Sequence, residues 1–346
     1  MQPARLIGPA RPVINLLGLV NARRAERPEQ PSRSQRVIFT AIAGDLAVAT
    51  GKFVAAAFTG SSVMLVEGFH SLVDTGNELL LLIGLKRSHR AADDAHAFGY
   101  GKVSYFWSLI VALSIFSLGG GISVYQGIVS LHRPPVLENS AWNYFVLGIA
   151  ALFESYSWRV SHAELARRRG PGDSLWQTVH KSKDAAVFTV FLEDSASLIG
   201  IVIAALGVGL SHALDNRYFD PAASVLIGLV LFGTAFLLAR ESGALLVGES
   251  IDGEQIEQLR RIIACDPAVE SVRHLLTMQL GPESVLLTAA VRFKRRLSLD
   301  EVEQAIARLE RSIKAPFPAI QHLFLESGAL KSLSQSARYQ AASEPL

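Results

Sequence analysis

Apolar residues in this chain are gathered into blocks about as long as a bilayer is thick. That blocking constrains the fold more than any motif does. A helix rises 1.5 Å per residue, so about 20 apolar residues span a ~30 Å hydrocarbon core. Six stretches meet or approach that length: residues 37–59, 62–85, 104–129, 142–160, 185–210 and 221–239. The second and fifth carry charges and the fourth is short, yet six helices remain the economical count. Half of the 346 residues are hydrophobic and 18% are charged, against roughly 25% charged in an ordinary soluble domain. A single cysteine, Cys265, excludes an internal disulfide framework and any CxxC site. The formal net charge of +2 points to no partner, and nucleic acid is not expected as one.

Lysine and arginine near the helix ends set the orientation. Arg23, Arg24, Arg27, Arg33 and Arg36 lie at the first stretch. Lys86, Arg87, Arg90 and Lys102 link the second to the third, and Arg159, Arg167, Arg168, Arg169, Lys181 and Lys183 link the fourth to the fifth. The alternate links carry only Arg133 and Arg217. Both termini are therefore expected on the cytoplasmic side, and the membrane is read as a bacterial plasma membrane because no organelle signal is convincing. Residues 1–35, rich in Pro and Arg, read as a disordered basic tail near anionic lipid. The apolar piece 13–20 lacks the length and cleavage pattern of a signal peptide.

Past Arg240 the pattern changes. Residues 253–264 are amphipathic, 269–280 and 284–293 read as strands, 300–313 as a helix and 320–325 as a short strand. The order α-β-β-α-β suggests a small ferredoxin-like α+β domain on the inner side. The division expected is a tail at 1–35, a six-helix transmembrane domain at 36–245, the ferredoxin-like domain at 246–328 and a flexible tail at 329–346.

Charges inside the second and fifth stretches ask for a role, since each costs at least ~2.5–3.5 kcal/mol at membrane depth. His70 and Asp74 are four residues apart and share a helical face, which Asn77 continues. An imidazole and a carboxylate presented together make half of a tetrahedral site for a borderline divalent ion such as zinc. From the helix rise, His70 and Asp74 lie ~12 and ~18 Å below the outer end of their helix, and Asp194 ~15 Å above the inner end of its own. Glu193 and Asp194 are thus level with the first pair, near the midplane where alternating-access carriers place their sites. Lys52 is the one well-buried base in view, facing Asp45, Glu67, Asp74, Glu154, Glu193 and Asp194. It cannot neutralise that set, and a bridge to Glu154 or Glu67 is its expected role.

Four stretches carry a resemblance. They are Gly60-Ser-Ser-Val-Met-Leu-Val-Glu-Gly-Phe-His70-Ser-Leu-Val-Asp74, Asp93-Asp-Ala-His96-Ala-Phe-Gly-Tyr-Gly-Lys102, Leu192-Glu-Asp-Ser-Ala-Ser-Leu-Ile-Gly200 and Asp220-Pro-Ala-Ala-Ser-Val-Leu-Ile-Gly228. Across residues 37–327 the chain resembles the cation diffusion facilitator family. Leu192-Glu-Asp, with Glu154-Ser-Tyr-Ser, is similar to its zinc-transporter-nine-like branch. The likeness implies a six-helix, dimeric carrier of divalent metals, with His70 and Asp74 as ligands on the second helix and Asp194 on the fifth. The family's other fifth-helix ligand position is Val190 here, which cannot ligate. Glu193 is expected to supply the missing ligand or to carry a proton. A loop site maps onto Asp93 and His96, with Tyr100 third. His274 and His322 fall at cytosolic metal positions whose companions are Ala289 and Phe324. Asp220 and Pro221 read as N-cap and first residue of the sixth helix.

The expected function is efflux of a divalent metal, zinc first, exchanged for protons. The metal and H⁺ are cargo, and no prosthetic group is implied. Oxygen-rich ligands also suit manganese, iron or cobalt, and Val190 keeps open a sensor or scaffold that no longer transports. No HExxH or GxSxG motif supports a membrane hydrolase.

Overall fold

The computed structural model describes residues 32–59, 62–132, 140–170 and 172–327. The two expected tails lie almost wholly outside the described residues. Long helices fill the first part: α1 (Arg33–Thr59), α2 (Ser62–Ser88), α3 (Val103–His132), α4 (Ser140–Arg167), α6 (Ala185–Ala213) and α7 (Phe219–Val247), with the short α5 (Leu175–Lys181) before α6. Four are long and apolar enough to cross a membrane: α3, α6, α7 and Arg33–Val54 of α1. Helices α2 and α4 are comparably long, 27 and 28 residues. They carry Asp74, Glu78, Lys86 and Arg87, and Glu154, Arg159, Glu164 and Arg167, respectively. Most helices outrun their apolar blocks, because a helix can continue into the polar layer once the apolar run ends.

Two local features differ from the reading above. Helix α3 is not regular throughout, since Ile115–Gly121 winds as a π-helix. Gly119, Gly120 and Gly121 offer little resistance to such rewinding. Helix α7 begins at Phe219 after Tyr218, so Asp220 is a first-turn acid and not the N-cap. An acid there still meets the positive end of the helix dipole, and Pro221 still falls in the turn where a missing N–H is harmless.

Ile38, Leu81, Tyr105, Leu165, Phe188 and Leu238 are buried together and tie α1, α2, α3, α4, α6 and α7 into one core. Between apolar helices in lipid, close van der Waals fit supplies the attraction that water would otherwise drive. The fit is tightest between α3 and α7. A Cβ on Gly120 would lie 2.5 Å from the Phe232 ring and 3.1 Å from the Gly228 carbonyl. At the other end of the bundle, Asp184 caps α6 by accepting from the Val187 amide at 3.4 Å. The same carboxylate accepts from Ser34 Oγ of α1 at 2.6 Å and from Arg168, just past the end of α4, at 2.9 Å. One buried acid thus knots three helix ends.

The remaining elements follow the expected order: α8 (Gly253–Ala264), β1 (Val269–Gly281), β2 (Ser284–Phe293), α9 (Leu299–Lys314) and β3 (Ile320–Ser327). The sheet order is β1-β2-β3, with β1 antiparallel and β3 parallel to β2. Leu259 and Ile263 of α8 and Leu309 and Ile313 of α9 bury against Leu287 and Ile320, forming a second core. Ser298 starts α9 with a capping box, its hydroxyl accepting from the Glu301 amide. The sheet seats on the link between α2 and α3. Gly101 and Gly281 meet backbone to backbone, and Lys183 pairs with Glu249 at 3.0 Å beside them.

Candidate metal centre

Helix α2 presents its polar residues as a stripe, because positions 70, 74, 77 and 78 recur at helical spacing. His70 Nε2 lies 4.0 Å from Asp74 Oδ2, each side chain 32% exposed. Two zinc ligands at about 2.1 Å in a tetrahedron stand roughly 3.4 Å apart. A small rotamer change therefore closes this pair on one ion, and the partial exposure leaves a route to it. Ser71, Thr75 and Asn77 along the same helix are buried. Lys52 of α1 donates to Ser71 Oγ at 2.9 Å. The bridge to Glu67 was an alternative for Lys52; the Glu67 side chain lies outside the described residues.

Helix α6 places its two acids on different neighbours. Adjacent residues are ~100° apart around a helix, and Glu193 and Asp194 contact different helices in this structure. Asn77 Nδ2 of α2 donates to Glu193 Oε1 at 3.3 Å. Glu193 Oε2 is buried without a hydrogen-bond partner among the described residues. Asp194 is 4% exposed and turns towards α4, its Oδ2 accepting from Ser157 Oγ at 3.0 Å and Ser161 Oγ at 3.2 Å. Val190, four residues before Asp194, is buried. The structure thus joins His70 to Asp74 and Glu193 to the stripe on α2, about 4.5 Å further along the helix than Asp74. It holds Asp194 on the serines of α4. Among the described residues, no three His, Cys, Asp or Glu side chains converge closely enough to hold one ion.

The role of Ser157 and Ser161 was not anticipated from sequence. Their spacing of four, from Ser157 at the end of Glu154-Ser-Tyr-Ser to Ser161, was the available signal. Two neutral hydroxyls engage one Asp194 oxygen without adding a competing charge.

The secondary candidates are placed as follows. Asp93 accepts from the Tyr100 hydroxyl at 2.6 Å, from Arg90 at 3.2 Å and from the His96 amide at 2.8 Å. The His96 ring lies 3.3 Å from the same carboxylate. The Tyr100 hydroxyl, ahead of the other contacts, holds the Asp93 carboxyl below the usual carboxylate range. Both oxygens are thereby engaged in shaping the loop. His274 on β1 is opposite Ala290, whereas His322 on β3 is opposite Leu286. Four residues of offset and two strand spacings separate them by roughly 16 Å, so they do not share an ion within one chain. His322 instead packs edge-on against Phe98 of the α2–α3 link, ring centroids 5.1 Å apart.

The cation efflux transmembrane domain pattern matches residues 38–247. The chain is 30% identical over 313 residues to the mitochondrial proton-coupled zinc antiporter SLC30A9 of Xenopus laevis, covering 80% of this chain and 56% of that protein. The Homo sapiens protein of the same name is 35% identical over 248 residues, covering 71% of this chain and 44% of that protein. Metal tolerance protein C4 of Arabidopsis thaliana is 28% identical over 294 residues, or 84% of this chain and 64% of that protein. The chain spans about half the length of the SLC30A9 relatives it matches.

Proposed function

Because the chain belongs to the cation efflux family, the cation diffusion facilitators, we propose that it carries a divalent metal ion, zinc first, out of the cytosol in exchange for protons. It is an integral membrane transporter and not an enzyme. The observation that carries the reading is the His70–Asp74 pair at mid-helix in α2, with Glu193 reaching the same helix through Asn77. Asp194 completes the set after a turn of α6 that releases it from Ser157 and Ser161. The name of the SLC30A9 relatives supports zinc as cargo and protons as the coupling ion.

Competition supplies the mechanism. A neutral imidazole and ionised carboxylates hold the metal, and protons arriving from the outer side displace it. Histidine suits the exchange because its unperturbed pKa, ~6.5, lies near ambient pH. The reading takes six spans, residues 36–245 as the transport domain, residues 246–328 as a cytosolic ferredoxin-like domain, and a homodimer. Both termini lie on the cytoplasmic side of a bacterial plasma membrane. The basic links support the orientation, and the two acidic helices α2 and α4 are tolerated because their charges face other helices.

Sealed vesicles holding the full chain test this. Zinc flux is expected to accelerate with an opposing pH gradient. His70→Ala and Asp74→Ala are each expected to lower flux to a tenth or less while the protein still elutes as a folded species. Wild-type vesicles without metal flux would instead identify a sensor or scaffold. A second reading, a manganese, iron or cobalt carrier, is favoured by one feature: a single imidazole stands among three carboxylates. Paired-metal competition decides it, and His70→Asp should move preference from zinc towards manganese by removing the only nitrogen donor.

A further inference from the structure

Three further acids lie inside the bundle, and the metal site uses none of them. Asp45 of α1 is within hydrogen-bond reach of both Glu78 of α2 and Glu154 of α4. Glu78 is 2% exposed, and its Oε2 has no hydrogen-bond partner among the described residues. By helix rise, Asp45 and Glu154 lie about 18 and 21 Å from the first residues of α1 and α4, near mid-helix in both. Glu78 lies about 6 Å inward of Asp74. The groups facing the trio are Lys52 from α1, Asp74 from α2, and Glu193 and Asp194 from α6.

An ionised carboxylate has no donor, so each carboxyl–carboxyl hydrogen bond must contain a proton. Two such bonds to Asp45 require two protons among three acids and leave at most one negative charge. Lys52 faces that charge. The trio is not arranged to hold a metal ion.

We propose that Asp45, Glu78 and Glu154 form a proton-binding centre separate from the metal ligands, near mid-helix and beside Asp74 in the bundle. The proposal rests on the transport reading for its purpose but not for its existence. Arrival of a divalent cation at Asp74 and Glu193 adds positive charge one to two turns away. That favours breaking one carboxyl O–H bond, the electron pair staying on oxygen and the proton passing to water. When the cation leaves, the negative charge left behind draws a proton back. The centre thereby offsets part of the metal's charge without occupying a ligand.

Neutral isosteres separate the two sites. In vesicles, Glu78→Gln and Glu154→Gln should keep zinc-for-zinc exchange within twofold of wild type. They should lose at least tenfold of the acceleration by a pH gradient. Infrared difference spectra of the solubilised full chain, acid against neutral, should lose a protonated-carboxyl band in each variant, and in Asp45→Asn. Retained gradient-driven flux together with an unchanged infrared band overturns the proposal. So does failure of all three variants to fold, which would make the trio structural. If wild type exchanges no zinc, the transport reading falls. The infrared band then decides the proton centre alone: its loss in the variants upholds the centre, and its persistence removes it.

Discussion

At the residue scale, the consequential pair is Glu193 and Asp194, neighbours in sequence that serve different helices. Val190 removes a ligand from the face that Asp194 occupies, and Glu193 is the acid in contact with α2. Zinc sites usually reach four ligands, with water able to take the last place. Glu193→Ala is therefore expected to lower zinc affinity at least tenfold by isothermal titration, and adding Val190→His should restore part of it. Adding Lys52→Ala should not, because removing a base supplies no ligand to the site. Unchanged affinity in Glu193→Ala would mean three protein ligands and a water. Asp184 is a second decisive residue, 3% exposed and bonded to Ser34, Arg168 and the Val187 amide. Removing it strands several donors at once, and a charge-assisted hydrogen bond alone is worth about 1.5–3 kcal/mol. Thermal unfolding of Asp184→Ala in detergent should show a clearly lower Tm, and wild-type stability would remove it from that role.

At the element scale, α3 and α7 approach closely because glycines let them. A side chain on Gly120 meets both a ring and the backbone of α7, and backbone cannot yield. Overpacking of this kind costs about 1–3 kcal/mol. Gly120→Val is expected to lower Tm by several degrees, whereas Gly233→Ala, with nothing within 4 Å of its Cβ, should not. Equal Tm values for the two variants would show that the crossing tolerates spreading. The π-helical turn at Ile115–Gly121 sits in the same contact and re-aims the rest of α3.

At the scale of the whole molecule, the sheet and the bundle meet where Gly101 lies against Gly281. A Cβ on Gly281 would stand 2.7 Å from the Gly101 Cα. Gly281→Ala is expected to lift the sheet from the α2–α3 link and speed protease cleavage there at least fivefold. Gly253→Ala, with open space around it, is the control. The same seat includes the Phe98–His322 ring contact and the Lys183–Glu249 pair. It ties the α2–α3 link and the residues leading into α6 to the sheet. Unchanged cleavage in Gly281→Ala would show that the two parts are held elsewhere.

Sequence alone determined where most helices and strands lie and which polar residues share a helical face. Those properties follow from length and periodicity, which are local. The strands at Val269–Gly281 and Ser284–Phe293 and the amphipathic α8 and α9 were legible for that reason. The His70–Asp74 face was legible too, since spacing of four fixes it within one helix. Rotation of α6 about its own axis was not legible. The sequence sets ~100° between Glu193 and Asp194 but no absolute direction, and either acid can face α2 until α4 packs and offers Ser157 and Ser161. The meeting of Asp45, Glu78 and Glu154 was hidden for the same reason. Each acid was visible as a charge at membrane depth, but three helices must pack before their carboxyls share protons.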